Sequence, residues 1–376
     1  MIKILLLVLA ASALAFGAWI LWLPAPPAPL AAAPVPQSET EATLVALKPP
    51  KRARPLIAIV GINDATETLD YVMPYGILKR SDVADVVALA TGPGPVKLFP
   101  MLAVLPDATT ADFDARHPDG ADYVIVPAMS RDDDPVALRW IQGQAEKGAI
   151  IVGVCAGAKV VAAAGLLEGK RATTHWYYLR GMLRRHPAVT PVGDRRFVVD
   201  GRVATTTGIT ASMPMSLTLI EAIAGRARAE VVARDLGAQH WDARHRSSPF
   251  VFHRAFALTV MRDAAAFWRH ERLGMQLVPG MDEVSLGLVA DAWSRTYRSR
   301  VATFAAAPHP VRTRAGLQVV PDRVAAVGRG EVVVAIGAPR PVDALDHALA
   351  GIVARYGKRT ADVVAMQLED PDHVGR

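Results

Sequence analysis

Ala149-Ile150-Ile151-Val152-Gly153-Val154-Cys155-Ala156-Gly157-Ala158 is the stretch whose reading decides the fold. Four β-branched residues in the five positions 150–154 predict a short, fully buried strand of the kind a parallel sheet uses. Cys155, the one cysteine of the chain, ends that strand. Ala156, Gly157 and Ala158 then lead into 159–164, an alanine-rich run that reads as a helix. A strand that turns sharply into a helix crowds its own backbone, so only small side chains fit around the turning residue. The turn also aims Cys155 at the helix N-terminus, where unpaired amides and the helix dipole favour thiolate over thiol. The expectation is a nucleophile elbow carrying an acidified sulfur. A buried structural cysteine is the competing reading.

Outward from the elbow, apolar runs at 56–60, 84–90, 101–105 and 122–127 read as strands, and 69–80 and 135–147 read as helices. Strands alternating with helices predict an α/β fold with a doubly wound parallel sheet, whose reactive residues gather at the C-terminal strand ends. The Asp200-Gly201 pair between 197–199 and 203–205 predicts a hairpin. Ser212 and Ser216 follow in a helical segment, where helix packing or a place on the pocket wall are both open.

The run 152–176, VGVCAGAKVVAAAGLLEGKRATTHW, resembles the PfpI / class I glutamine amidotransferase-like superfamily, the family of the parkinsonism-associated deglycase. It is also similar to the amidotransferase-like domain found ahead of some AraC-type regulators. The resemblance spans about 55–237 and implies a flavodoxin-like fold with Cys155 as catalytic nucleophile. It also implies Asp70 as a carboxylic acid touching the sulfur and His175 as an orienting or proton-transfer group. Two anions side by side repel, so one member of the Cys155–Asp70 pair must carry a proton. Ala128, Met129 and Ala156 would form the oxyanion pocket. Two departures stand out. Pro127-Ala128-Met129-Ser130 replaces a Gly-Gly pair, and Ala156 stands where peptidase members carry His, which disfavours peptidase activity. The implied chemistry is hydrolase-, hydratase- or glyoxalase-like, on a small electrophile. A non-catalytic redox or ligand sensor stays open, since an exposed thiolate would oxidise readily.

The chain has 376 residues, half of them apolar, and a formal net charge of +6. Basic residues are scattered among acidic ones without a dense basic stripe, so no nucleic-acid partner is expected. One cysteine excludes an internal disulfide. His240, His245 and His253 lack tight metal-ligand spacing, so neither a metal nor a cofactor is expected.

Residues 4–23 carry no charge and match a bilayer core in helical length, with Lys3 before them. This predicts a transmembrane anchor over 1–23, a single pass through the inner membrane, and the main domains on the periplasmic side. A cleaved signal peptide, with cleavage near 31–33, stays open. Residues 24–54, rich in Pro and Ala, predict an extended spacer with no core of its own. A linker helix is expected within 238–274. From 275 to 370 the chain repeats itself: 278–322 runs parallel to 67–107, and 361–365 echoes 229–233. This predicts a truncated second copy lacking the nucleophile, with Ser285 in place of Asp70 and about ten residues (323–330) where the first copy spends about ninety. Pairing of two chains as a homodimer stays open.

Overall fold

The computed structural model describes residues 2–26, 31–324 and 332–374, without the side chains of 2–10 and 13. Seven strands form the main sheet in the order Phe197–Asp200, Val203–Thr206, Ile150–Gly153, Tyr123–Val126, Leu56–Gly61, Asp85–Ala90 and Ala108–Thr109. Every neighbouring pair is parallel except the hairpin, whose register sets Phe197 opposite Thr206. Leu56–Gly61 is buried at all six positions, as a central strand covered on both faces must be. Helices Pro135–Glu146 and Gly157–Ala163 pack on one face with Ile151 and Val126. Thr68–Ser81, Ser212–Ala224 and Arg226–Leu236 pack on the other with Ile150 and Val152. The α/β fold read from the elbow is the fold observed.

The expected strand at 101–105 forms over Ala103–Leu105 but leaves the main sheet. It joins a five-stranded sheet in the order Val311–Arg312, Gln318–Val320, Ala103–Leu105, Val96–Phe99 and Asp64–Glu67, which bridges the two halves of the chain. The later half has its own parallel sheet, ordered Arg323–Val324, Ser299–Ala305, Glu271–Gln276 and Val332–Val333. Helices Glu283–Ser294, Pro341–Tyr356 and Lys358–Leu368 pack with it. Its first strand begins before the expected boundary at 275. Most of the short stretch expected at 323–330 lies outside the described residues.

The region 24–54 does more than space. Gln37–Ala46 is a helix, and Leu47 after it is fully buried in the main core, its carbonyl accepting the Tyr123 hydroxyl at 2.7 Å. Glu39 pairs with Arg195 at 2.6 Å. The apolar Leu47 of TLVALK separates this piece from the proline-rich run before it, and its burial helps offset the cost of ordering the segment.

The N-terminal expectation is corrected. Ile2–Trp22 is helical, but among the described residues no helix is long and apolar enough to cross a membrane. The single-pass anchor over 1–23, the membrane as partner, and the inner-membrane location with periplasmic domains are withdrawn on that finding. The side chains of 2–10, in the first half of the expected span, lie outside the described residues. One side of the described end of the helix rests on protein, while Leu14, Leu21 and Trp22 are exposed. Ile20 and Leu23 are buried against Ala257, and Arg254 donates to the carbonyls of Ile20, Leu21 and Leu23.

Candidate functional site

Cys155 sits at φ +53, the left-handed region that a side chain enters only when its surroundings force it. Three contacts hold it there. The Cys155 amide donates to Thr206 Oγ1 at 2.9 Å, Thr174 Oγ1 donates to the Cys155 carbonyl at 2.8 Å, and the Gly157 amide donates to the Val154 carbonyl at 2.7 Å. Gly157 is obligatory, because a Cβ there would lie 1.9 Å from the Val126 carbonyl oxygen. The elbow is therefore present in the form that crowding demands.

Its electrostatics differ from the expectation. The sulfur is buried, and burial pushes the thiol well above its ordinary range, with the Asp70 and Glu67 charges acting in the same direction. The Ala156 amide, hydrogen-bonded to the sulfur, works the other way and loses. Gly157–Ala163 has only seven residues, so its dipole is small, and desolvation outweighs it.

Asp70 lies in the first turn of Thr68–Ser81, where its amide donates to the Glu67 side chain at 2.7 Å. Its carboxyl is fully buried. Oδ2 accepts the Ala128 amide at 3.0 Å, and Oδ1 has no hydrogen-bond partner among the described residues. Burial raises this carboxyl to about 8, against the opposing pull of the Ala128 amide and Arg295. Glu67 is likewise pushed far up by burial and by the charges of Asp70 and Asp291, and Asp291 is raised by burial. Three buried carboxyls thus share one guanidinium. Arg295 reaches Glu67 at 2.7 Å and Asp291 at 2.6 Å. Such a cluster titrates as a unit and keeps protons at neutral pH.

The remaining expected residues fall as follows. His175 caps Trp176–Arg185, with Nδ1 accepting the Tyr177 amide at 3.2 Å and Nε2 facing the Gln367 carbonyl at 3.0 Å. Nε2 therefore donates, both nitrogens are engaged, and burial lowers its pKa, so the ring is neutral. The structure brings His175 beside Tyr178, at 5.8 Å between ring centroids, and gives it no hydrogen bond to Cys155. Ala128 spends its amide on Asp70 and its carbonyl on the Glu67 amide at 2.8 Å. Met129 packs in the cluster of Val126 and Ala158, whereas Cys155 and Ala156 belong to the other. Ser216 donates to the Ser212 carbonyl within its helix.

Sequence reasoning missed Glu67, Asp291, Arg295, Thr206, Gln367 and Glu369. Glu369 Oε2 accepts the Trp176 amide at 3.2 Å while Oε1 pairs with His245 Nε2 at 3.0 Å. The repeat held one usable signal, because Arg295 stands to the second copy as Arg80 stands to the first. A cavity of about 800 Å³ lies elsewhere, lined by residues such as Arg244, His253, Arg359 and Asp362.

Residues 57–222 match the DJ-1/PfpI family. The isonitrile hydratase of Pseudomonas putida is 35% identical over 174 residues, covering 45% of this chain and 73% of that protein. The Parkinson disease protein 7 homolog of Danio rerio is 26% identical over 182 residues, covering 47% and 93%. The HTH-type transcriptional regulator GbdR of Pseudomonas aeruginosa is 34% identical over 128 residues, covering 33% of each chain. Among solved structures, a ThiJ/PfpI family protein from Pseudomonas syringae aligns with a TM-score of 0.46 at 23% identity, covering 57% of this chain and 86% of that one. With a strained cysteine at the elbow and a hydratase relative matched over most of its length, the chain belongs to the DJ-1/PfpI family.

Proposed function

We propose that this protein adds water to a small, neutral electrophile with a carbon–nitrogen multiple bond, using Cys155 as nucleophile and Asp70 as acid. The observation that carries the reading is the burial of both the Cys155 thiol and the Asp70 carboxyl. Burial keeps both the thiol and the Asp70 carboxyl neutral at pH 7, next to an elbow backbone held at φ +53. A neutral acid beside a neutral thiol suits a substrate that becomes electrophilic only when protonated.

For an isonitrile, the substrate class named for the Pseudomonas putida relative, the steps balance. Asp70 gives its proton to the terminal carbon. The sulfur lone pair closes an S–C bond, and the thiol proton passes to the Asp70 carboxylate. The product is a thioimidate. Water then adds to its carbon, the C–S bond breaks, the sulfur regains a proton, and a formamide leaves. The Ala156 amide, already facing the sulfur, stabilises charge there during attack and departure.

The test is formamide formation from an aryl isonitrile by the purified chain, with Cys155→Ser and Asp70→Asn alongside. Turnover lost in both variants is expected; turnover retained in Cys155→Ser overturns the assignment. A second reading, a non-catalytic ligand sensor, is favoured by one feature: both His175 nitrogens are engaged, which leaves no free imidazole base at the sulfur. Stoichiometric binding of the isonitrile without product would select it. Deep burial of the sulfur speaks against the oxidant-sensing form of that reading.

A further inference from the structure

We propose that residues 271–368 act as a built-in second subunit. They occupy the face on which two copies of the first half would pair symmetrically, and they supply Arg295 as a positioning residue for the Cys155 site. The role of Arg295 rests on the functional reading above; the pairing does not.

Adding 215 to a residue number in 67–107 gives its counterpart in 282–322. Local geometry repeats at that spacing. The Glu67 side chain accepts the Asp70 amide at 2.7 Å, and the Asp282 side chain accepts the Ser285 amide at 2.9 Å. Asp82 and Tyr297, after the two helices, have φ +51 and +58. The Ala88 amide donates to Asp107 Oδ2 at 2.8 Å, and the Thr303 amide to Asp322 Oδ2 at 2.7 Å. The closing helix pairs also correspond. Gly225 joins Ser212–Ala224 to Arg226–Leu236 at φ +84, and Gly357 joins Pro341–Tyr356 to Lys358–Leu368 at φ +91. Unrelated segments do not repeat caps, left-handed turns and side-chain bonds at one spacing.

The contact between the copies is itself two-fold. Leu105 pairs antiparallel with Gln318, Val104 with Val319, and Ala103 with Val320. Gln318, Val319 and Val320 are the counterparts of Ala103, Val104 and Leu105, so each strand meets its own equivalent about an axis at Val104 and Val319. The ion pairs obey the same axis. Arg295 bonds Glu67 at 2.7 Å, and Arg80, its counterpart, bonds Asp282, the counterpart of Glu67. Contact of i with j and of j with i is the signature of a symmetric dimer interface. The helices Thr68–Ser81 and Glu283–Ser294 lie so close that a Cβ on Gly76 would sit 2.7 Å from Val284.

The two ends of the axis differ in what they serve. Arg295 pairs with Glu67, which caps the turn that carries Asp70, and the charges of Arg295 and a Cys155 thiolate interact. Arg80 faces Asp282, Asp235 and Glu283, where Ser285 replaces Asp70. Each arginine pairs with a carboxylate across the axis, the closest partners of Arg295 being the more buried, and the charge interaction with the Cys155 thiolate belongs to Arg295.

The experiment combines light scattering with thiol alkylation on the whole chain. A single species near 40.2 kDa is expected; a stable dimer at micromolar concentration overturns the pairing. The rate of iodoacetamide reaction against pH is then measured for wild type, Arg295→Ala and Arg80→Ala. The Arg295 variant is expected to move the midpoint upward by about one unit, a tenfold slower reaction at fixed pH, while the Arg80 variant stays within a factor of two. Equal shifts in both overturn the positioning role, because equal shifts are what a purely structural pair would give. Should Arg295→Ala fail to fold, Arg295→Gln removes the charge at similar size, and an unchanged midpoint in that variant also overturns the role. These readouts do not depend on turnover, so a failed hydratase assay leaves them standing.

Discussion

At the start of Thr68–Ser81, Glu67 accepts the amide of Asp70; at the start of Glu283–Ser294, Asp282 accepts the amide of Ser285. The backbone is the same and the chemistry is not. In the first half the capped turn faces an elbow that holds Cys155 in a strained conformation. Among the described residues the second half shows no such elbow: 38 residues separate position 322 from 361, against 121 between their counterparts 107 and 229. What the second half keeps is the part that makes contacts: the capped helix, the arginine and the pairing strand. The difference separates what the two halves share, a capped helix and a pairing strand, from the elbow, which is described in the first half alone.

The largest effect that would break this contrast comes from glycine. In the elbow, Gly157→Ala sets a Cβ 1.9 Å from the Val126 carbonyl oxygen, and the expected loss in urea unfolding is about 3 kcal/mol or more. On the other half, Gly287→Ala meets the end of the Leu69 side chain at 3.0 Å and Val72 at an ordinary 3.6 Å, and helix propensity offsets the crowding. It should fall within about 1 kcal/mol of wild type. Similar losses at both sites would remove the claim that constraint is concentrated at the elbow.

The next effect is in pH. The Asp70 carboxyl titrates at about 8 when folded, against 3.8 for an ordinary one, with burial as the main cause. A pKa raised by folding means the native state holds the proton more tightly. The stability it contributes is full below about pH 4 and is lost as pH rises toward 8, at up to roughly 1.4 kcal/mol per unit. Asp70→Asn cannot titrate, so its stability curve should be flatter over that window, and it should be the more stable protein at pH 8. Ser285→Ala, at the mirror position, should leave the slope unchanged. A wild-type curve that rises from pH 4 to 8 more steeply than that of Asp70→Asn would show the carboxyl to be ionised in the fold.

A smaller effect sharpens the reading of Cys155. Alkylation of the wild-type thiol should have its midpoint above about 8.5, the value of a free cysteine. A midpoint near 6 would restore the acidified thiol expected from the elbow turn alone. The smallest effect is at the surface of the second half, where Lys358→Ala removes an exposed pair with Asp362 at 2.8 Å. Thermal unfolding should register no more than about 0.5 kcal/mol.

Much of the first half was legible because its signals are local. Ile150 to Val154 read as a strand from side-chain type alone, and Ala156, Gly157 and Ala158 read as a tight turn from size alone. Asp70 is assigned through the resemblance, and the expectation of a proton on the pair comes from the rule that neighbouring anions share one. The raised thiol was not legible, since the turn points to the amides but burial is decided by helices distant in sequence. Arg295 and Gln367 were missed for the same reason: each acts more than 190 residues from its partner. The helix at 37–46 was hidden by its neighbours, because proline-rich flanks dominate any reading by composition. The apolar run at 4–23 gave the clearest single signal and led to the withdrawn anchor, since length and hydropathy alone do not say what a helix will rest against.

The contacts of 366–369 bear on how the protein is made. The Gln367 carbonyl holds His175, the Met366 carbonyl accepts the Trp176 indole at 2.8 Å, and Glu369 ties the Trp176 amide to His245. During synthesis the elbow strand, its cysteine and the sheet around them leave the ribosome well before these groups exist. The first half can therefore collapse while the loop after Thr174 still lacks its fastening, and a ribosome stalled before residue 366 would display a folded sheet with an unfinished site. The loop that carries His175 and Trp176 thus gains these contacts only once residues 366–369 have left the ribosome.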